Sequence, residues 1–352
     1  MEKILSPQGV LHLLEWYDEN KRDLPWRKTC DPYCIWLSEI MLQQTRVEAV
    51  KPYYARFLEA CPRIEDLAAL PEDKLMKLWE GLGYYSRARN LQKAARQVVE
   101  QMGGRMPASY EGLRKLPGIG EYTAGAVASI AYGERVPAVD GNVLRVLARV
   151  SGSYGDITAQ EVKNAHRNAI FDAMPYERTG DFNQALIELG ATVCVPNGEA
   201  RCDRCPLAAE CTARKEGTQR ELPVRAPKKA RRIEKKTVLI IRDGDRTALC
   251  KRPPKGLLAG LFELPNLEGH LSAEELPARI RELGFEPLHV ERVEDSKHIF
   301  THIEWHMVAF SVRIAPEFDG WHQESGMLLV SNGVLHAEYA IPSAFSAYVK
   351  YL

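Results

Sequence analysis

Leu116-Pro117-Gly118-Ile119-Gly120-Glu121-Tyr122-Thr123-Ala124 is the stretch on which the fold turns. Gly118 and Gly120 set a tight turn between two helices, and the second, predicted over Thr123–Tyr132, is rich in Ala, Gly and Ser, so that a neighbour can approach it closely. A glycine turn that leads into a helix N-terminus exposes backbone N–H groups able to hold a phosphate, although any helix–turn–helix can use such a turn structurally. Just downstream, Val139-Asp140-Gly141-Asn142-Val143 opens an apolar helix through Leu144, Val146, Leu147 and Val150. Asp140 is placed as its N-cap. A cap and a catalytic carboxylate are compatible, because a helix N-terminus favours the ionised form.

Upstream, the chain reads as helix after helix. Ser6-Pro7 is a cap followed by proline at the first helical position, Asp31-Pro32 repeats the device and predicts a helix from Tyr33 to about Val47, and Pro71-Glu72 and Ser109 through Leu113 are further starts. From Thr237 the texture changes. Val238–Ile241 and Thr247–Cys250 flank Asp243-Gly244, a two-strand hairpin signal, and strand-like runs recur at Val290–Val293, Trp305–Ile314 and Met327–Val330. Helical stretches are predicted at Ala273–Leu283 and near Ser343–Tyr351. Between the two textures lies a basic, proline-punctuated stretch containing Leu222-Pro-Val-Arg-Ala-Pro-Lys-Lys229. The expected organisation is an all-helical region over 1–217, a linker over 218–236 and an α+β domain over 237–352, without internal repeats.

A length of 352 residues suits about two domains, and 45% hydrophobic with 27% charged residues excludes a disordered or fibrous chain. No uncharged apolar run is long enough for a membrane span, and Met1–Pro7 lacks a charged-then-apolar signal architecture, so a soluble intracellular protein is expected. The formal charge of zero hides an uneven distribution: −2 over residues 1–200, +7 over 201–236 and −5 over 237–352. Whole-chain charge therefore gives no argument for nucleic acid, whereas the short basic stretch can give one, with a solvated linker as the competing reading that composition alone favours.

Four of the eight cysteines, Cys194, Cys202, Cys205 and Cys211, crowd the end of the helical region with spacing C-x7-C-x2-C-x5-C. In a reducing compartment such a cluster reads as metal or iron–sulfur ligation rather than disulfides, and spacing alone leaves zinc and iron open. Cys30, Cys34, Cys61 and Cys250 are isolated, and are most simply small apolar fillers. A second chemical signal is Glu39, predicted on one helical face with Ile35, Leu42 and Arg46 and surrounded by Trp36, Ile40 and Met41. A carboxyl amid apolar neighbours has a raised pKa, which suits a general acid; a simple pairing with Arg46 is the competing structural explanation. Gln43-Gln44-Thr45 adds a polar triplet with no evident structural task.

Together, the hairpin Leu116–Ala124, Asp140 beyond it and the terminal cysteine loop resemble the endonuclease III superfamily of DNA glycosylases. Within it, Leu24-Pro-Trp-Arg27, Trp36-Leu-Ser-Glu-Ile-Met-Leu-Gln-Gln-Thr45, Gly81-Leu-Gly-Tyr-Tyr-Ser-Arg87 and Val139-Asp-Gly-Asn142 resemble the MutY-type adenine DNA glycosylases, and the C-terminal half resembles that family's Nudix-like domain. The resemblance implies a helix-hairpin-helix core (subdomain about 28–135), a cluster-bearing subdomain from the N-terminal helix and about 136–217, and a recognition domain over 237–352. It implies a cytoplasmic, nucleoid-associated monomer of base excision repair that flips adenine out of its mispair with 8-oxoguanine, or guanine, in duplex DNA and leaves an abasic site. No membrane partner is expected, and the linker composition permits contact with another repair protein.

Residue by residue, the resemblance implies that Glu39 protonates adenine N7, that Asp140 stabilises the developing sugar cation, and that Asn142 helps hold Asp140. Tyr122 stands where bifunctional relatives carry a Schiff-base lysine, so no lyase step by that route is expected. Trp26, Arg27 and Gln184 match the adenine pocket. Gln44 and Tyr84 match wedge residues, with Leu42 and Thr45 beside them, while Gly118 and Gly120 face the DNA backbone. Phe300-Thr301-His302 matches an 8-oxoguanine-sensing Phe-Ser-His loop, with Thr in place of Ser. Cys194, Cys202, Cys205 and Cys211 match ligands of a structural 4Fe–4S cluster, with seven residues in place of six between the first two, in a loop whose Arg201 and Arg204 suit backbone phosphates.

Three rival readings are disfavoured. A bifunctional pyrimidine glycosylase–lyase lacks its lysine at Tyr122. A nucleotide hydrolase needs a metal-binding helix with paired acids, whereas Ala273–Gly284 is interrupted by Pro277 and lacks those pairs in register. A non-catalytic lesion binder has no need of both Glu39 and Asp140. A metal site at His298, His302 and His306 is not expected either, because the intervening residues favour strand or loop.

Overall fold

The computed structural model describes residues 4–196, 198–227, 230–316 and 326–352, and the backbone of 320–322; Lys228 and Lys229 of the predicted linker lie outside the described residues. Its contacts divide into two units, Met1–Ala69 with Arg89–Pro227 and Leu70–Ala88 with Lys228–Leu352.

The first unit is helical, and its helices begin where short polar side chains cap free backbone N–H groups. Ser6 Oγ accepts from Gly9 N at 3.0 Å ahead of Pro7–Asn20, and Asp31 Oδ1 accepts from Tyr33 N at 2.8 Å ahead of Pro32–Leu42. The latter helix was expected to reach Val47 but stops at Leu42, and a new one, Val47–Ala60, follows with Arg46 as its N-cap. Between them Gln44 adopts φ 57°, a left-handed conformation rare for a side-chain-bearing residue. Apolar periodicity runs across this break because both helices bury a face, so the pattern does not register the turn.

The Ala- and Gly-rich helix Glu121–Tyr132 is buried from Thr123 to Ser129 and packs on Pro32–Leu42 and on Thr179–Thr192. The closeness is enforced at Gly125, where an added Cβ would lie 2.4 Å from the Pro137 carbonyl oxygen. A separate core of Leu13, Tyr17, Val143, Leu147, Phe182, Leu186 and Leu189 joins the N-terminal helix to Gly141–Ser151 and Thr179–Thr192.

The second unit is built on a mixed sheet of nine strands among the described residues: β1 Arg232–Asp243, β2 Arg246–Lys251, β3 Phe262–Glu263, β4 Asn266–Glu268, β5 Pro287–Arg292, β6 Ser296–Ile299, β7 Ile303–Ile314, β8 Gly320–His322 and β9 Met327–Ser331. The main order is β5-β7-β1-β2-β9-β8, with β1 and β7 parallel from Arg232 opposite Ile303 to Arg242 opposite Arg313. The predicted hairpin is the β1–β2 turn. Strand alternation sends Val238 and Ile240 to one core, and Leu239 and Ile241 to the other. Leu276 and Ile280, of the helix Leu276–Glu282, cover one face; Leu335, Phe345 and Tyr348 cover the other.

Three details of the sequence reading change here. The linker expected to extend to 236 gives way to strand at Arg232, because residues 232–236 pair with β7. Pro277 lies in the first turn of its helix, where its missing N–H is harmless, rather than interrupting it. Leu70–Ala88 groups with the C-terminal half, since Lys77 Nζ donates to the Tyr339 carbonyl at 3.0 Å and Ile341 N donates to Glu80 Oε1 at 2.8 Å.

Candidate active site

A cleft of about 480 Å³ in the first unit gathers residues from five chain segments. Trp26 and Arg27 come from the short 3-10 turn Pro25–Arg27, and Glu39 and Leu42 from Pro32–Leu42. Gln44 and Thr45 stand on the strained turn, Tyr122 on Glu121–Tyr132, Asp140 and Asn142 at the start of Gly141–Ser151, and Gln184 on Thr179–Thr192.

Glu39 is buried on its helix. It accepts a hydrogen bond from Tyr122, whereas its Oε2 is buried with no protein partner. Burial pushes its carboxyl up to about 7; the Tyr122 hydrogen bond opposes the rise, Asp140 adds to it, and Arg27 opposes it. The competing pairing with Arg46 is not formed, because Arg46 lies beyond the break as the cap of the next helix. Tyr122 is itself held well above the usual phenol range by burial and by the two carboxyl groups, and so stays a neutral donor.

Asp140 caps Gly141–Ser151 as expected, and every hydrogen bond it receives favours the charged form. Asn142 N and Val143 N donate to Oδ1, each at 2.8 Å, and Asn142 Nδ2 donates to Oδ2 at 2.8 Å. Burial raises its carboxyl above the usual carboxylate range, and these bonds and the charge of Arg145 oppose the rise without cancelling it. Arg145 extends the support: it donates to Asn142 Oδ1 at 2.8 Å, to the Gly190 carbonyl at 2.7 Å and to the Cys194 carbonyl at 2.7 Å. Both carboxyl groups of the cleft are desolvated, but they differ in donors: Glu39 leaves Oε2 unpartnered, whereas Asp140 receives three hydrogen bonds.

The cleft also holds Leu24, Gln43 and Gly141, which the sequence motifs contain without a role of their own, and Arg22, Val47, Ile187 and Ala191, which the sequence reading missed. Behind Arg22 and Arg27 lies Glu188, wholly buried on Thr179–Thr192 and ion-paired to both. The signal that was available is a lone carboxylate inside the apolar run Ala185-Leu186-Ile187-Glu188-Leu189.

The hairpin forms as predicted. Gly118 has φ 76°, Ile119 is buried and donates to the Leu116 carbonyl at 3.2 Å, and exposed Gly120 caps Glu121–Tyr132 without a side chain. The N-terminal N–H groups of that helix are therefore left to face outward.

The four cysteines of the terminal loop line one small space of about 20 Å³ together with Arg149, Arg214 and Gln219. Arg149 Nη1 donates to Cys194 Sγ at 3.2 Å, and burial, reinforced by the other three thiols, pushes the Cys205 thiol up to about 12. Among the described residues no group of His, Cys, Asp or Glu is arranged to hold a single metal ion. Four soft sulfur donors lining one space, with an arginine against one of them, are a donor set that fits an anionic iron–sulfur cluster.

In the second unit, Phe300, Thr301 and His302 form the turn between β6 and β7. Phe300 stacks edge-on to Trp305 at 4.9 Å, and the exposed Thr301 hydroxyl lies 3.2 Å from the Tyr84 hydroxyl. Tyr84 has φ 48° in a turn shared with Gly81 and Gly83, both in the left-handed region, and its ring is 47% exposed. The structure thus brings together two residues that the sequence singled out 217 positions apart.

The desolvated acid Glu39 and the capped carboxylate Asp140 thus share one helical cleft. The model of the HhH-GPD superfamily of base excision DNA repair proteins matches residues 37–170, and that of the NUDIX domain matches 237–351. The chain is 36% identical to the mouse adenine DNA glycosylase over 86% of its own length and 70% of that protein's. It is 32% identical to that of Buchnera aphidicola from Schizaphis graminum, covering 86% of this chain and 87% of the relative. The human adenine DNA glycosylase is 36% identical, and the chain spans 64% of its length. Among solved structures, a thermostable thymine-DNA glycosylase superposes with TM-score 0.53 at 30% identity, over 59% of this chain and 95% of that one. An endonuclease III–DNA complex superposes with TM-score 0.52 at 24% identity, over 61% and 99%. The chain belongs to the adenine DNA glycosylase family. Among the described residues no helix is long and apolar enough to cross a membrane.

Proposed function

We propose that this chain excises adenine mispaired with 8-oxoguanine, or with guanine, from duplex DNA and leaves an abasic site without cutting the strand. The observation that carries the reading is the buried, partnerless Glu39 Oε2 in the same cleft as the donor-saturated Asp140. With its carboxyl near 7, Glu39 is protonated in a large fraction of molecules at neutral pH and can give that proton to N7 of a flipped adenine. Protonation weakens the N-glycosidic bond, and the electron pair of that bond leaves with the base. Positive charge then builds on the sugar, where Asp140, held by Asn142 and by the backbone of the helix start, stabilises it until a water molecule adds to the sugar carbon and gives up a proton, leaving the abasic site. Tyr122 anchors Glu39 and offers no amine for a Schiff base.

Trp26, Arg27 and Gln184 supply the walls for the flipped base. Gln44, with Leu42 and Thr45 beside it, acts as one wedge and Tyr84 as another, each of the two on a turn with left-handed backbone, and Gly118 and Gly120 hold a DNA phosphate. The Phe300-Thr301-His302 turn reads 8-oxoguanine, with the hydroxyl of Thr301 as the contact. On this reading the helical unit does the chemistry and the unit built on the sheet recognises the lesion. Cys194, Cys202, Cys205 and Cys211 would hold a 4Fe–4S cluster, which when bound supplies a rigid covalent cross-link for the loop carrying Arg201 and Arg204. The enzyme works as a monomer on nucleoid DNA in the cytoplasm, and the basic stretch before Arg232 is open to a second repair protein.

The test is a single-turnover assay on duplexes bearing adenine or cytosine opposite 8-oxoguanine, scored with and without alkali. Breakage of the adenine strand only after alkali is the expected result. Breakage without alkali overturns the assignment of Tyr122, and absence of breakage from iron-loaded protein overturns the reaction.

A further inference from the structure

Glu188 has no place in the reaction as described, yet it is the most tightly bound carboxylate of the first unit's cleft wall. It sits in the middle of Thr179–Thr192 with its side chain wholly inaccessible. Its neighbours Gln184, Ile187 and Ala191 face the cleft. Four donors converge on it. Arg22 gives its backbone N at 3.2 Å and its Nε at 2.7 Å to Oε1, and its Nη2 at 2.8 Å to Oε2; Arg27 gives Nη2 at 2.8 Å to Oε2. Arg27 Nη1 also reaches the Arg22 carbonyl at 3.1 Å, so the two arginines and the carboxylate form one closed unit. Both arginines line the cleft.

The unit carries two positive charges and one negative, so one net positive charge faces the acid site. The groups acting on Glu39 from the surrounding elements are Tyr122, Asp140 and Arg27, and Arg27 is the cation among them. Without the Glu188 charge, the two guanidinium groups would repel each other in the cleft wall, and the positive field on Glu39 would rise. A stronger positive field favours ionised Glu39, which cannot donate a proton.

We propose that Glu188 is a positioning residue of the base-excision site, fixing Arg22 and Arg27 as one wall of the pocket and limiting the positive field on Glu39 so that it stays a proton donor at neutral pH. The inference rests on the role given to Glu39 in the preceding section.

The experiment compares the full chain with Glu188→Gln and with the double variant Glu188→Gln/Arg22→Gln, which restores the charge balance. Single-turnover excision of adenine opposite 8-oxoguanine is followed from pH 5 to 9. In parallel, carbon-13 signals of the glutamate carboxyl groups are titrated, with Glu39 assigned by its loss in Glu39→Gln. The alkaline limb of the rate and the Glu39 titration should both move down by about one pH unit in Glu188→Gln, as expected for removing one unit charge from a partly buried site. In the double variant both should return towards the parent position. A residue that only stabilises the fold would lower the rate at every pH and leave both midpoints where they were, and the double variant would be worse than the single; that result overturns the proposal. If Glu188→Gln does not fold, a double variant that folds with the Glu39 midpoint at the parent position upholds the charge balance, and a displaced midpoint overturns it. If the parent releases no adenine while the Glu39 midpoint still shifts, the field exerted by Glu188 stands and the reaction assigned to the site falls.

Discussion

Gly190→Ala tests whether the placement of Asp140 depends on helix packing behind it. An alanine Cβ at this position would lie 2.6 Å from the Asn142 Cβ and 3.0 Å from the Asn142 backbone oxygen. Carbon atoms in contact rest at roughly 3.5 Å or more, so the turn carrying Asp140 and Asn142 must move by about 1 Å, or the helix must. Two effects oppose each other in stability. Alanine favours the helix over glycine by about 1 kcal/mol, whereas forcing a methyl into packed contact costs about 1–3 kcal/mol. The net destabilisation is therefore small, about 0–2 kcal/mol. The excision rate has no such compensation. Asn142 donates two of the three bonds that hold Asp140, and a misplacement of about 1 Å at a reacting group lowers a rate by about a hundredfold. The assay is single-turnover excision beside thermal unfolding, with Gly333→Ala, whose added methyl meets nothing within 4 Å, as control. A Gly190→Ala enzyme within threefold of the parent rate would refute the view that this contact positions Asp140.

Other expectations follow from the same geometry. Glu39→Gln should fold and bind DNA yet lose about 100-fold to 10 000-fold in single-turnover rate, and the parent rate should fall as pH rises through about 7, because only protonated Glu39 donates. The raised carboxyl also makes Glu39 ionisation unfavourable to folding: its neutral form is tolerated below the unfolded value near 4.5, and the penalty appears as pH climbs from there through about 7, which urea titrations of parent and Glu39→Gln would read as a difference. Glu188 has the opposite sign. Burial pushes its carboxyl up, but the bonds from Arg22 and Arg27 outweigh this and hold it at about 2, so its stabilisation is present above about 4.5 and is lost as pH falls towards 2. Glu188→Ala should cost about 3–5 kcal/mol at neutral pH by leaving two guanidinium groups uncompensated, measured by chemical denaturation. Cys205→Ser should lower bound iron and visible absorbance and weaken DNA binding, while the β-rich unit keeps its own melting transition.

The hairpin, the caps and the hairpin-turn strand pair were legible because each is a local device: Gly118 at positive φ, Asp31 and Asp140 bonding N–H groups two and three residues on, Asp243-Gly244 reversing the chain. The break after Leu42 was not legible, because an unglycined left-handed turn at Gln44 leaves no mark on apolar periodicity. Strand β1 was read too short, because Arg232 to Lys236 look like linker until the partner strand Ile303–Ile314 is in place. Within the site, Glu39 announced itself as a charge in an apolar run, and Glu188 stood in a similar run without being noticed. Its meaning depended on Arg22, 166 positions away, and such pairings become visible only in three dimensions.

The central claim is that Glu39 delivers a proton to N7 of the flipped adenine. Single-turnover excision of 7-deazaadenine opposite 8-oxoguanine, in which a C–H replaces N7, tests it most directly. The account predicts a duplex bound about as tightly as the adenine substrate with no base released; release at a rate comparable to that of adenine would contradict it.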